Sequence, residues 1–112
     1  MDTLDEIAER ALTAAREAEN GRHAEIVVHD GPLRQTVFGL RAATQLGEHN
    51  SPPAASMQVL TGRVRITGED PVELSAGQLA ALTHQRHGVT ALEDTVFLLT
   101  TVTGVPGEES RV

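Results

Sequence analysis

From Glu25 onward the chain reads as short apolar runs cut at close intervals by turn residues, which predicts strands joined by tight connections. The candidate strands are Ala24–His29, Leu33–Leu40, Thr44–His49, Ala55–Thr61, Arg63–Thr67, Val72–Leu74, Gln78–Leu82, His87–Ala91 and Thr95–Val102. The breaks carry turn chemistry: Asp30-Gly31-Pro32, Asn50-Ser51-Pro52-Pro53, Gly68-Glu69-Asp70-Pro71, Ala76-Gly77 and Glu93-Asp94. Many short strands with turns this closely spaced predict a sandwich or barrel rather than a parallel sheet with crossover helices.

The first twenty residues carry a different period. Leu4, Ile7, Ala8, Ala11, Leu12 and Ala15 recur at the spacing that gathers them on one helical face. Asp2 or Thr3 can cap the start, and Asn20-Gly21 is a natural stop, since both tolerate the left-handed conformation. The stripe is narrow and rich in alanine, so this helix is expected to lie on a surface or over a partner's barrel. The segment from Gly104 to Val112 shows no periodicity and is expected to be a disordered tail. The division is thus 1–21 helix, 22–103 β-barrel and 104–112 tail.

Composition narrows the core. At 112 residues the chain is about one domain long. Its 39% hydrophobic residues include only two aromatics, Phe38 and Phe97, so Val, Leu, Ile and Ala must fill the interior. The net charge of −7 opposes a nucleic-acid partner, whose backbone is bound mainly by Lys and Arg. Arg63 and Arg65 alternate on one strand as a solvated face would. With no cysteine, disulfides, thiolate metal sites and cysteine nucleophiles are excluded. No stretch is long and apolar enough to cross a bilayer, and the acidic Asp2, Asp5, Glu6 and Glu9 are unlike a signal peptide. The expected location is cytoplasmic.

Two groups of residues carry a family resemblance. In the first, Ala43, His49, Ser51, Ala55 and Gly62 follow the spacing G-x5-H-x-H-x3,4-E-x6-G, with residue type kept only at His49 and Gly62. In the second, Gly77, Thr83, Gln85 and His87 follow G-x5-P-x-G-x2-H, with the histidine one residue early. Both sit in hairpin-like text, Gln58–Val64 and Glu73–Leu79. Together they resemble a small single-domain cupin with degenerate metal motifs. The resemblance implies an all-β, cupin-type jelly-roll barrel behind a short N-terminal amphipathic helix.

The family's histidines and glutamate share one strand face and hold a divalent ion inside the barrel. Here Ser51 and Ala55 stand where an imidazole and the carboxylate would be, leaving His49 and His87 as an incomplete metal set for Fe, Mn, Ni or Zn. His84 lies close by in sequence, whereas His23 and His29 read as surface residues. The expected pocket is lined by His49, Met57, Val59, His87 and Val89, with Phe38 or Phe97 nearby. No catalytic residue is read from the sequence: it has no nucleophile elbow, phosphate loop or dinucleotide fingerprint.

The leading expectation is a barrel that binds or senses a small molecule without a complete metal site. The alternatives are a metal-dependent dioxygenase or isomerase using His49 and His87, and a dimeric interaction module. A homodimer without nucleic-acid or membrane partners accompanies all three.

Overall fold

The computed structural model describes residues 2–49, 54–82 and 86–103. Within them one helix, α1 (Leu4–Glu17), precedes the strands β1 (Arg22–Asp30), β2 (Leu33–Leu40), β3 (Gln45–His49), β4 (Ala54–Thr61), β5 (Arg63–Thr67), β6 (Val72–Ser75), β7 (Leu79–Leu82), β8 (His87–Ala91) and β9 (Thr95–Val102). Each expected strand is present, with ends displaced by at most two residues. Gln78 belongs to the turn before β7, because its Oε1 accepts from the Ser75 N–H at 2.7 Å. The expected tail, the Asn50–Pro53 turn and His84 lie outside the described residues.

The strands form two antiparallel sheets, ordered β1-β2-β9-β4-β7 and β3-β8-β5-β6. Apart from the β1–β2 and β5–β6 hairpins, each strand is followed by one in the opposite sheet, which is the wiring of a jelly roll. The all-β architecture with one short helix is therefore as expected.

Period-two alternation decides what each sheet buries. The faces turned toward each other contribute Leu40, Met57, Val59, Val64, Ile66, Leu74, Val89, Ala91 and Phe97, all buried in one cluster. Val37 and Val96, on the opposite face of the five-stranded sheet, join Ala8 and Ala11 of α1 in a second cluster. A one-residue slip of β2 or β9 would exchange these two sets.

The helix is fixed at both ends. Thr3 is its cap: Thr3 Oγ1 accepts from the Glu6 N–H at 3.1 Å, and Glu6 Oε1 accepts from the Thr3 N–H at 2.9 Å. The helix stops at Glu17, earlier than Asn20-Gly21, because Ala18 is already extended. Arg41 then meets the exposed helix end, with Nη1 donating to the carbonyls of Arg16 at 3.1 Å and Ala18 at 3.0 Å.

Of the two placements expected for the helix, a surface or a partner's barrel, the structure gives the surface of this chain's own sheet. The helix does not reserve its alanine face for a partner: Ala11 and Ala15 are fully buried within this chain. Small residues are used there because the helix backbone lies directly on Gly39 of β2, where any Cβ would collide with the Ala11 carbonyl. Asp94, in the turn between β8 and β9, is also anchored. Its carboxylate accepts from the Ala42 N–H and from Arg16 Nε, each at 2.8 Å, joining the turn before β9 to α1 and to the turn before β3.

Gly62, between β4 and β5, has φ +85°, and a side chain there would collide with the Asp94 carbonyl and Thr95 Oγ1. Thr95 is fully buried, and its hydroxyl accepts from the Arg63 N–H at 3.0 Å while lying 2.8 Å from the Glu93 carbonyl. On the solvent side of β5, Arg65 pairs with Glu73 at 2.8 Å and Arg63 with the same carboxylate at 3.6 Å. That basic pair is engaged with the neighbouring strand.

Candidate functional site

The two sheets do not close on each other along their whole length. Between them lies a cavity of about 560 Å³, open at one end. Its lining comes from β1, β2, β4, β7 and β9 of the larger sheet and from β3 and β8 of the smaller one.

Phe38 and Phe97 form part of the wall from the larger sheet, together with Leu99 and Thr101 of β9. The two rings belong to residues paired across β2 and β9, and they stack with centroids 5.0 Å apart. Ala55 and Met57 of β4 and Leu82 of β7 continue this wall. The smaller sheet contributes Leu46 and Gly47 from β3 and His87, Gly88 and Val89 from β8. Asn20, Arg22, His23 and Ala24 complete the lining at the start of β1.

The expected pocket residues separate in an informative way. Met57, His87 and Val89 line the cavity, as do both phenylalanines. Val59 is fully buried in the core cluster and is not among the lining residues. Alternation is right for it, since Val59 faces inward as Met57 does, but it lies where the sheets have already met. His49 and His87 are direct partners in the β3–β8 pairing, so residues remote in sequence stand opposite each other.

His87 is held between neighbouring segments. Arg86 Nη2 donates to the Glu48 carbonyl at 3.0 Å, tying the chain before β8 to β3. Gly68 of the β5–β6 turn approaches from another side, and a Cβ there would sit 3.4 Å from His87 Nδ1.

Arg22 and His23 were missed as lining residues because a strand start after a helix reads as surface. What brings them to the cavity is the Arg41 clamp on α1 and the left-handed Gly21, at φ +73°. The Asn20 side chain also accepts from the Arg22 N–H at 3.2 Å. Asn20-Gly21 carries a local turn signature, but the Arg41 clamp does not.

The electrostatics of the lining are one-sided. Among the described residues its ionisable members are Arg22, His23 and His87, with no carboxylate. Carboxylates near β1 are occupied elsewhere: Glu25, on the opposite face of that strand, is held below the usual carboxylate range by its hydrogen bonds with Arg10.

The donor set for a metal falls short. No group of three or more His, Asp or Glu residues is placed to hold an ion among the described residues. At the position of the family's carboxylate the cavity wall carries the methyl group of Ala55. The described residues therefore do not fit a complete cupin ion site.

No family model matches the chain, and no curated protein matches it. Solved structures do. A conserved protein of unknown function from Streptococcus pyogenes is 26% identical, with 79% of each chain covered and a TM-score of 0.71. An RmlC-like cupin from Desulfovibrio desulfuricans is 21% identical over 72% of this chain and 81% of its own, with a TM-score of 0.66. A cupin superfamily protein from Desulfitobacterium hafniense is 15% identical over 76% and 80%, with a TM-score of 0.70. With its two facing sheets and its cavity between them, the chain has the fold of a small cupin-superfamily domain.

Proposed function

We propose that this domain binds a small molecule in the cavity between its sheets. The observation that carries the reading is the cavity itself: about 560 Å³, walled by Phe38, Met57, Leu82, Phe97 and Leu99, with a few polar groups at its margin. Ligand sites have this size and this mixture, in which apolar wall supplies affinity and sparse polar groups supply orientation.

The test uses an uncharged fluorescent probe, N-phenyl-1-naphthylamine. Its emission is expected to rise saturably with the wild-type protein. Ala55→Phe, which fills the cavity from β4, is expected to weaken binding at least about tenfold, the scale of losing one well-packed apolar contact area. Thermal unfolding of the variant should remain cooperative. Absence of saturable binding, or binding indifferent to Ala55→Phe, would overturn the reading.

The cross-strand pairing of His49 with His87 favours a second reading, in which these two histidines and one further donor hold Fe, Mn, Ni or Zn for a dioxygenase or isomerase reaction. Metal analysis of protein purified without a histidine tag decides it. Stoichiometric metal lost in His49→Ala supports this reading, and substoichiometric metal unchanged by that substitution removes it.

Assembly as a homodimer is part of the proposal. The edge strand β1 carries Ile26, 59% exposed, and unpaired edges favour association. Light scattering should give a dimer that Ile26→Lys converts to a monomer.

A further inference from the structure

We infer that the cavity selects an anionic small molecule, an apolar body bearing a carboxylate, and that Arg22 supplies the countercharge. This rests on the cavity being the binding site and adds the class of ligand it takes.

The chain carries 16 acidic residues against 9 basic ones, so a randomly composed cavity lining would be expected to include carboxylates. Among the described residues the lining has none, while Arg22, on the same face of β1 as Ala24, and His87 contribute to it. Glu19 and Glu48, the sequence neighbours of the lining residues Asn20 and Gly47, are not part of the wall. A cationic ligand would find no countercharge among the described lining residues.

Arg22 differs from the other arginines near it. Arg10 pairs with Asp2 and Glu25, Arg16 pairs with Asp94, and Arg41 is committed to the helix carbonyls. Arg22 has no ion pair among the described residues. Its place is fixed through the backbone, by pairing with Leu40 on β2 and by the Asn20 side chain. Alternation puts Arg22 on the same face of β1 as Ala24, and Ala24 is the partner of Phe38. The guanidinium therefore belongs to the face that continues into the aromatic wall. A planar fork at the mouth of an apolar cavity is suited to a carboxylate, which it can hold through two parallel hydrogen bonds while the rest of the molecule lies on Phe38.

The experiment compares three ligands with one ring system and different charge: 2-naphthoate, 2-naphthylmethanol and 2-naphthylmethylammonium. Each is titrated calorimetrically into the full chain at low and high salt. Naphthoate is expected to bind about tenfold more tightly than the ammonium compound, a preference that shrinks with salt. Arg22→Gln should weaken naphthoate about tenfold and leave the alcohol within about twofold. If the alcohol binds and charge makes no difference, or if Arg22→Gln weakens all three alike, the cavity stands and the carboxylate assignment is overturned. If none of the three binds, the assignment falls together with the cavity reading.

Discussion

Phe38 and Phe97, the only aromatic residues in the chain, face each other across β2 and β9 with ring centroids 5.0 Å apart and planes 11° from parallel. One ring is core and the other is wall. Phe97 is 1% exposed, whereas Phe38 is only partly buried against the same cluster. Phe97→Ala should therefore cost about 3–5 kcal/mol, and Phe38→Ala roughly half of that, because less area is lost. Urea unfolding of both variants measures the difference. Equal losses would mean that Phe38 serves the core as fully as Phe97 does.

Gly39 should accept no side chain. A Cβ at this position meets the backbone of Ala11 and Leu12, and backbone in a helix cannot rotate aside. Gly39→Val is expected to lift α1 from the sheet and to destabilise by about 1–3 kcal/mol or more. Circular dichroism should show lost helix before the main β transition. A variant as stable as wild type would mean that the helix can reseat freely.

Thr95→Val tests a polar group inside the fold. The valine fills nearly the same volume, but it removes the acceptor for the Arg63 N–H at a fully buried position. The expected loss is about 1–3 kcal/mol by chemical denaturation, the cost of an unsatisfied buried group. A neutral result would show that water reaches the vacated partners.

Ala43 occupies the left-handed region at φ +73°, the only non-glycine residue with positive φ among the described residues. That conformation costs an L-residue about 1–2 kcal/mol, while glycine adds roughly 0.4–1 kcal/mol of unfolded-state entropy. The first term is the larger. Ala43→Gly should stabilise the domain by roughly 0.5–1 kcal/mol, read as a higher urea midpoint with unchanged slope. A lower midpoint would show that the turn is not strained.

Acid sensitivity should pass through Asp94. The Ala42 N–H and the Arg16 guanidinium hold its carboxyl below the ordinary value of 3.8. A carboxyl depressed on folding stabilises fully above its unfolded value, and that contribution disappears as pH falls through the lower folded value. Asp94→Asn should thus cost about 1 kcal/mol near neutrality, with its stability curve converging on wild type as pH falls through the lowered folded value. Parallel curves down to acid would place the titrating group elsewhere.

Much of the fold was legible in the chain. Alternation in β2, β4 and β9 is a local property, so the inward placement of Phe38, Met57, Val59 and Phe97 could be read before any contact was known. The cupin resemblance rested on Gly62 and Gly77, and both adopt the left-handed conformations that glycine permits, at φ +85° and +89°. At Ala43 the residue departed from the family's glycine while the backbone did not follow, since the hydrogen bond from the Ala43 N–H to the Ala91 carbonyl holds the turn.

The site divided differently. Met57 was expected from strand period, which fixes which residues face inward, and His87 from the cupin resemblance; both line the cavity. Val59 faces inward as expected but belongs to the core cluster and not to the lining, because period gives the face but not the depth at which two sheets meet. Arg22 was passed over because its position depends on a helix end clamped by Arg41, a side chain nineteen residues away in sequence. The sequence by itself determined the strands, their faces and the turns, all of which depend on neighbours in the chain. Only the tertiary structure decided where the sheets part and which charge stands at the opening, because both depend on how distant segments pack.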